Sequence, residues 1–341
     1  MLTIDGSQGE GGGQVLRSCL ALSLVTGRPF RIENLRARRK KPGLKRQHKT
    51  AVEAAATIGA AEFQGAELGS QTLSFIPHEI GAGDYHFSIG TAGSTTLVLQ
   101  AVLPALLCAP GPSTVTLDGG THNPLAPPFE FLAHSFLPLV ERMGPKVEVT
   151  LQRAGFFPAG GGRMSVRVAP PAIWKRLHLS QDGPSRATSA TAIVARLPRH
   201  IAQRELDLIG EKLDLPQERL TIEEITDSAG PGNVVMVEVA GGDVTEWFAG
   251  FGQRGVRAET VATRLAREVR QFLKAGAPVG QHLADQLLIP MALAGGGSFF
   301  TGQPTSHLTT NLLIVQRFLD VQITSEPVSK LVWKVVVEKT K

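Results

Sequence analysis

Apolar residues follow two rhythms along this chain, and the rhythms alternate. Spacings of three and four mark Val15, Leu16, Cys19, Leu20, Leu22 and Leu24 as one helix, closed by Gly27, while Leu2-Thr3-Ile4 and Phe30-Arg31-Ile32 on either side read as strands. A second helix is expected through Ala51 to Ile58, then Gly59 and a strand pair around Ala61 to Ile76. The plan then recurs. Phe87-Ser88-Ile89 precedes a helix with Leu97, Leu99, Val102 and Leu106, followed by the strand Thr114 to Leu117, a helix from Phe129 to Met143 and the strand Val147 to Val149. A third copy has a helix from His282, a glycine turn at residues 295–297, a strand at Ser298 to Thr301, a helix from His307 to Phe318 and strands at Val321 to Ile323 and Leu331 to Val337. In that last helix Leu308, Leu312, Leu313, Val315 and Phe318 are the expected buried positions.

The first helices of the copies begin near positions 13, 94 and 282, so one step is about 80 residues and the next about 190. Roughly 100 residues are therefore inserted between copies two and three. They carry their own pattern: strands at Ile193 to Ala195, Leu220 to Ile225, Val234 to Val239 and Val244 to Phe248, with helices at Ile201 to Leu213 and Val261 to Leu273. The predicted class is α/β (α+β), with a repeat domain formed by residues 1–178 and 278–341 and a small α/β domain over residues 179–277.

Composition changes this picture little. A chain of 341 residues with 42% hydrophobic content supports a sizeable core, and no apolar run is long enough to span a bilayer. Cys19 and Cys108 lie in apolar helical runs and are expected to pack as small hydrophobes, which fits a reducing cytoplasm. Charge is more informative. Between Arg28 and Lys49 stand ten Lys and Arg against one acid, Glu33, in a chain whose net charge is +5. Such a cluster favours a phosphate-rich partner or makes a solvated loop, and Pro42-Gly43 gives the loop a shape.

Three polar features stand apart from packing. His282, Asp285 and Gln286 share one face of a helix that otherwise packs through Leu283, Leu287, Leu288 and Met291. His307 begins a helix, where the partial positive charge attracts phosphate and disfavours the imidazolium; a neutral histidine there is a nucleophile candidate. His122 occupies the equivalent loop of the second copy. The glycine run at residues 9–13 has the look of a phosphate cradle but matches neither the dinucleotide nor the P-loop pattern, so plain turns account for it as well. Glu10 within it reads first as a solvent-facing loop residue and second as a magnesium ligand.

Taken together, residues 5–14 with Arg17, Pro42-Gly43-Leu44 with Arg46-Gln47-His48, residues 93–100, 119–128, 157–162, 282–286 and 307–311 resemble the RNA 3′-terminal phosphate cyclases over essentially the whole chain. The resemblance implies three βα repeats, each with two helices on a four-stranded sheet, and a smaller inserted α/β domain. It implies an ATP-dependent reaction in which a histidine is adenylated, AMP passes to an RNA 3′-phosphate, and the 2′-OH displaces AMP to leave a 2′,3′-cyclic phosphate. His307 matches the nucleophile; Gln100, His282, Leu283, Ala284, Asp285 and Gln286 match the ATP-binding positions; Glu10 matches a contact to a divalent metal, Mg or Mn; and Arg17, Arg36, Arg39 and Gln47 match positions suited to the terminal phosphate. RNA with a 3′-phosphate end is the implied partner, no membrane partner is expected, and a homodimer is left open. Two other readings stand beside this one: a non-catalytic RNA-binding assembly factor on the same scaffold, and an enolpyruvyl-transferase-like enzyme of related architecture that needs no nucleophilic histidine.

Overall fold

Along the strand Ser113–Gly119 buried and half-buried residues alternate one by one, the period of a chain lying on a sheet with one face in the core. That strand is the second of four in a mixed sheet whose order is Asp84–Ser88, Ser113–Gly119, Gly162–Ala169, Lys146–Arg153. The first pair is parallel and the others antiparallel. In the computed structural model, which describes residues 1–340, the same arrangement occurs twice more. One sheet orders Leu2–Asp5, Phe30–Glu33, Leu73–Ile76 and Glu62–Gln64; another orders Leu177–His178, Gly296–Thr301, Trp333–Lys339 and Val321–Pro327.

The third sheet corrects the place of the insertion. Its first strand, Leu177–His178, pairs in parallel with Gly297 and Ser298, so the added segment lies inside the third repeat, between its first strand and its first helix. Two residues are too short a run to carry an alternation, which is why periodicity passes over this strand. The segment itself builds a fourth sheet, ordered Leu220–Ile225, Ser189–Ala195, Gly232–Gly241, Val244–Phe251. Helices His200–Leu213 and Ala258–Ala275 pack on it through Leu206, Ile209, Val261 and Leu265. Its other face, through Ile193, Val234 and Met236, covers Ala154 and Phe156.

Helix Gly13–Thr26 lies at the centre of the repeats, packed against Thr95–Leu106 of the second and Ser306–Phe318 of the third. It is apolar on nearly every side, as a helix surrounded by others must be. Leu16, Leu20 and Leu22 are fully buried, each contributing about 1.5–3 kcal/mol of transfer free energy.

Four local expectations change. The second helix of the first repeat begins at Arg46, not Ala51, which brings Gln47 and His48 into its first turn. The helix expected over Phe129 to Met143 is broken by a π-turn at Leu132–Phe136; Pro138 has no N–H for a regular bond, and the wider turn relieves its clash with the preceding carbonyl. Leu313 is 61% exposed while Ile314 takes the buried position. Cys108 falls beyond the helix end at Leu106 and is exposed, whereas Cys19 is buried as expected. No helix among the described residues is long and apolar enough to cross a membrane.

Candidate active site

The glycine-rich turn at residues 9–13 fixes the geometry around it. Gly9 has φ 58°, and a Cβ there would collide with Thr310. This close approach lets the Glu10 N–H donate to Thr310 Oγ1 at 2.9 Å, fastening the turn onto helix Ser306–Phe318. The Gly11 N–H donates to the Gln8 carbonyl at 3.1 Å and the Gly12 N–H to Glu10 Oε2 at 2.7 Å. With these three amides engaged, the middle of the run is a tight turn, and it hands over at Gly13 to a helix whose N-cap, Gly12, makes no side-chain bond. Glu10 departs from the solvent-facing reading: its side chain is only 6% exposed and its Oε1 pairs with the Arg39 guanidinium.

His307 stands in the first turn of its helix, behind the N-cap Thr305, whose hydroxyl accepts from the Leu308 N–H at 3.2 Å. Its Nδ1 lies 3.0 Å from Gln14 Oε1, and its Nε2 lies 3.9 Å from Glu10 Oε1. Gln14 in turn donates through Nε2 to Asp285 Oδ2. With its amide nitrogen donating to Asp285, Gln14 turns its amide oxygen toward His307, and an amide oxygen only accepts, so it takes the proton on Nδ1. The free lone pair is therefore left on Nε2, on a ring that is about half exposed. Burial holds the His307 pKa below its ordinary value, with Glu10 pulling the other way and His282 and Arg17 adding to the depression. A neutral imidazole at neutral pH is the consequence.

A narrow cleft opens beside this chain of bonds. Gln14, Arg17, Gln100, Asp285, Gln286 and Asn311 supply its polar wall; Leu103, Pro104, Phe136, Ile289 and Pro290 supply the apolar one. Arg17 Nε donates to Gln100 Oε1 at 3.2 Å, joining the first repeat to the second. Asn311 donates to the Asp285 carbonyl at 2.6 Å and accepts from Ser18 Oγ at 2.6 Å. Burial pushes the Asp285 carboxyl up to about 7, with His282 and Arg17 opposing. The other residues of the polar helix segment stand differently. Leu283 and Ala284 are buried in the core, and His282 is exposed beside Glu268, which raises its pKa.

The basic loop reaches the site through Arg39. Arg36 does not: it is 7% exposed and its Nη1 donates to the carbonyls of Lys41 and Gly43, at 3.0 and 2.6 Å, bracing its own loop. Partial burial and crowding by Arg36, Lys41 and Arg39 lower the Lys45 pKa, as expected where cations gather. Gln47 Oε1 accepts from the Ser94 N–H at 3.1 Å, at the start of helix Thr95–Leu106.

A family model described as RNA 3′-terminal phosphate cyclase matches residues 8–325. A protein named RNA 3′-terminal phosphate cyclase from Ectopseudomonas mendocina is 53% identical over 322 residues, 94% of each chain. One of the same name from Pseudomonas fluorescens is 52% identical over 335 residues, 98% of this chain and 97% of its own, and one from Koribacter versatilis is 52% identical over 321 residues, 94% and 90% respectively. The chain belongs to the RNA 3′-terminal phosphate cyclase family.

Within this cyclase-family site, several contributors escape a reading of motifs one at a time. Gln14 and Ser18 sit with Arg17 at spacings of three and four on a helix otherwise apolar, and that polar face was the available signal. Glu246 had none. It comes from strand Val244–Phe251 of the inserted segment, is 2% exposed, and accepts from the Gly280 N–H at 2.5 Å, the residue that opens helix Gln281–Leu293. Burial raises its carboxyl to about 8. The inserted segment thus holds one end of the helix that carries Asp285 and Gln286.

Proposed function

We propose that this chain uses ATP to convert an RNA 3′-terminal phosphate to a 2′,3′-cyclic phosphate, through a covalent histidine–AMP intermediate and an RNA-adenylate. The observation that carries this reading is the half-exposed His307 imidazole, tied through Nδ1 to Gln14, a residue that itself lines the cleft, with Nε2 left free. Nε2 attacks the α-phosphorus of ATP, the α–β phosphoanhydride bond breaks, and pyrophosphate leaves. The proton on Nδ1 stays shared with Gln14 Oε1 as the ring takes on positive charge. An oxygen of the RNA 3′-phosphate then attacks the same phosphorus and displaces the histidine. Finally the 2′-OH, losing its proton, attacks the RNA phosphorus and expels AMP. Splitting one displacement into three gives each step a competent leaving group, and only ribose supplies the last nucleophile.

The apolar wall of Leu103, Pro104, Ile289 and Pro290 suits an adenine ring, while Arg17, Gln100, Asp285 and Gln286 suit its polar edges and phosphates. The rest of the segment, His282, Leu283 and Ala284, borders this region. Among the described residues no three His, Cys, Asp or Glu side chains gather as a ready-made metal cage. The donor chemistry nevertheless fits magnesium or manganese bound with ATP: Glu10 is a buried carboxylate already holding a cation, Arg39, and such metals take most of their oxygens from phosphate and water. A metal held by Glu10 would neutralise charge on the phosphates. Arg39 is the basic group we assign to the RNA terminal phosphate, with Arg17 and Gln47 as its companions and Arg36 bracing the loop that carries it. We take residues 179–277 as one inserted domain and residues 1–178 with 278–341 as the catalytic body, acting in the cytoplasm.

The test is incubation with α-labelled ATP and magnesium. The parent should acquire an acid-labile, alkali-stable label and a folded His307→Ala variant none. A folded His307→Ala that still accumulates label and makes cyclic ends would overturn the mechanism. An assembly factor or an enolpyruvyl-transferase-like enzyme would retain no label in the parent.

A further inference from the structure

Away from the site just described, helices His200–Leu213 and Ala258–Ala275 of the inserted segment border an open cleft of about 480 Å³. Four arginines line it, Arg204, Arg257, Arg264 and Arg267, with Glu259 as the one carboxylate and two threonines between. Glu259 is engaged by both arms of Arg204, at 2.7 and 2.8 Å. That bidentate pair links the two helices above the apolar core they share. Among the described residues no carboxylate stands within ion-pair distance of Arg257, Arg264 or Arg267. Three like charges on one open surface repel each other, and folding alone does not require them there.

The position of the cleft says what it serves. Arg264 stands one helical turn before Glu268 on the same face, and Glu268 accepts from Gln281 Nε2 at 3.3 Å and lies 3.7 Å from His282 Nε2. A single straight helix therefore connects the arginines to the rim of the ATP-site helix. From Arg257 to Glu268 that helix advances about 16 Å, the reach of a few nucleotides of extended strand. No aromatic side chain lines the cleft, so it offers charge for phosphates and no platform for stacked bases.

We propose that this cleft holds the sugar–phosphate backbone of the RNA a few nucleotides upstream of its 3′ end. This rests on the reading of RNA as substrate. Recognition is by phosphate charge alone, so it is indifferent to sequence and sensitive to salt. The inserted segment thereby lengthens the substrate site from a terminal phosphate to a stretch of strand.

The test compares a dinucleotide with a 3′-phosphate, too short to reach the cleft, with a long oligoribonucleotide of mixed sequence carrying the same end. The full-length triple variant Arg257→Gln, Arg264→Gln, Arg267→Gln is measured against the parent for cyclisation of both and, separately, for self-adenylation. The expected result is a KM for the long RNA raised about tenfold or more, and a salt slope reduced by about 2 for three lost phosphate contacts. Kinetics with the dinucleotide and self-adenylation should not change, and lysines at the same three positions should restore most of the loss. A parent indifferent to RNA length, or a variant that keeps the preference, overturns the proposal. If the parent cyclises neither substrate, the functional reading fails instead, and fluorescence anisotropy with a 3′-hydroxyl RNA still decides: equal affinity for parent and variant overturns the cleft. Binding of polyglutamate as tight as that of RNA of equal charge would also overturn it, in favour of an acidic protein partner.

Discussion

Replacing Gln14 with leucine is the sharpest probe of how His307 is prepared. The amide is 6% exposed, accepts from Nδ1 at 3.0 Å and donates to Asp285. Leucine keeps the volume and removes both bonds. Without the acceptor, the imidazole divides between its two tautomers and turns more freely, so the form with a free Nε2 is no longer enforced. A lost buried hydrogen bond costs about 1–3 kcal/mol, which as a barrier means self-adenylation slowed by about 5- to 150-fold. The Asp285 carboxyl, already pushed up to about 7, loses its donor and rises further. The assay is single-turnover labelling with α-labelled ATP, the adduct trapped at increasing times and the melting temperature recorded alongside. Gln14→Glu supplies the control: it still offers Nδ1 an acceptor and should adenylate faster than Gln14→Leu, despite the second carboxyl beside Asp285. A folded Gln14→Leu that adenylates at the parental rate would falsify the tautomer argument.

Glu10→Gln should lower activity at limiting metal and recover in part at high metal; a titration curve identical to the parent's removes Glu10 from the metal's ligands. Arg39→Ala should weaken AMP transfer to RNA while sparing self-adenylation and melting temperature, whereas Arg36→Ala should also lower stability, by about 1–3 kcal/mol, because it frees two loop carbonyls. Equal loss of adenylation and transfer in Arg39→Ala would move that residue to the ATP phosphates. For Glu246 the folded pKa of about 8 lies above the ordinary 4.5, so the stability it contributes is full below pH 4.5 and lost as pH rises through 8. Glu246→Gln keeps the acceptor for Gly280 without the charge, so its melting temperature should fall less across that window; curves of equal slope would show that the carboxyl is not the group responsible.

The helices were legible because their apolar spacing is long and regular, and the interior they predict is largely the interior found: Leu16, Leu20, Leu99, Leu287 and Val315 are all buried. Leu313 and Ile314 were harder, since both are aliphatic and adjacent, and only the partner surface decides which turns inward. The strand Leu177–His178 was illegible for want of length, and with it went the true position of the insertion. At the site, His307, Asp285 and Glu10 were visible as polar residues in apolar or glycine-rich settings. Their connection through Gln14 was not, because that bond joins positions 293 residues apart. Arg36 and Arg39 look alike in sequence, yet one braces a loop and the other meets Glu10.

The fastening of Glu10 to Thr310 spans 300 residues of chain, so its two halves are separated in time as well as in space. During synthesis the glycine turn emerges first and waits while two repeats and the inserted segment follow. His307 and the hydroxyl that seats the turn follow about 300 residues later. Until then the nascent protein has a turn without its anchor, Gln14 without its histidine, and an exposed apolar flank on helix Gly13–Thr26 where Ser306–Phe318 will pack. Contacts of such long sequence separation form slowly. A chain cut short before Ser306 therefore has most of the strands and helices of the fold but neither the anchor of its glycine turn nor the histidine that Gln14 holds.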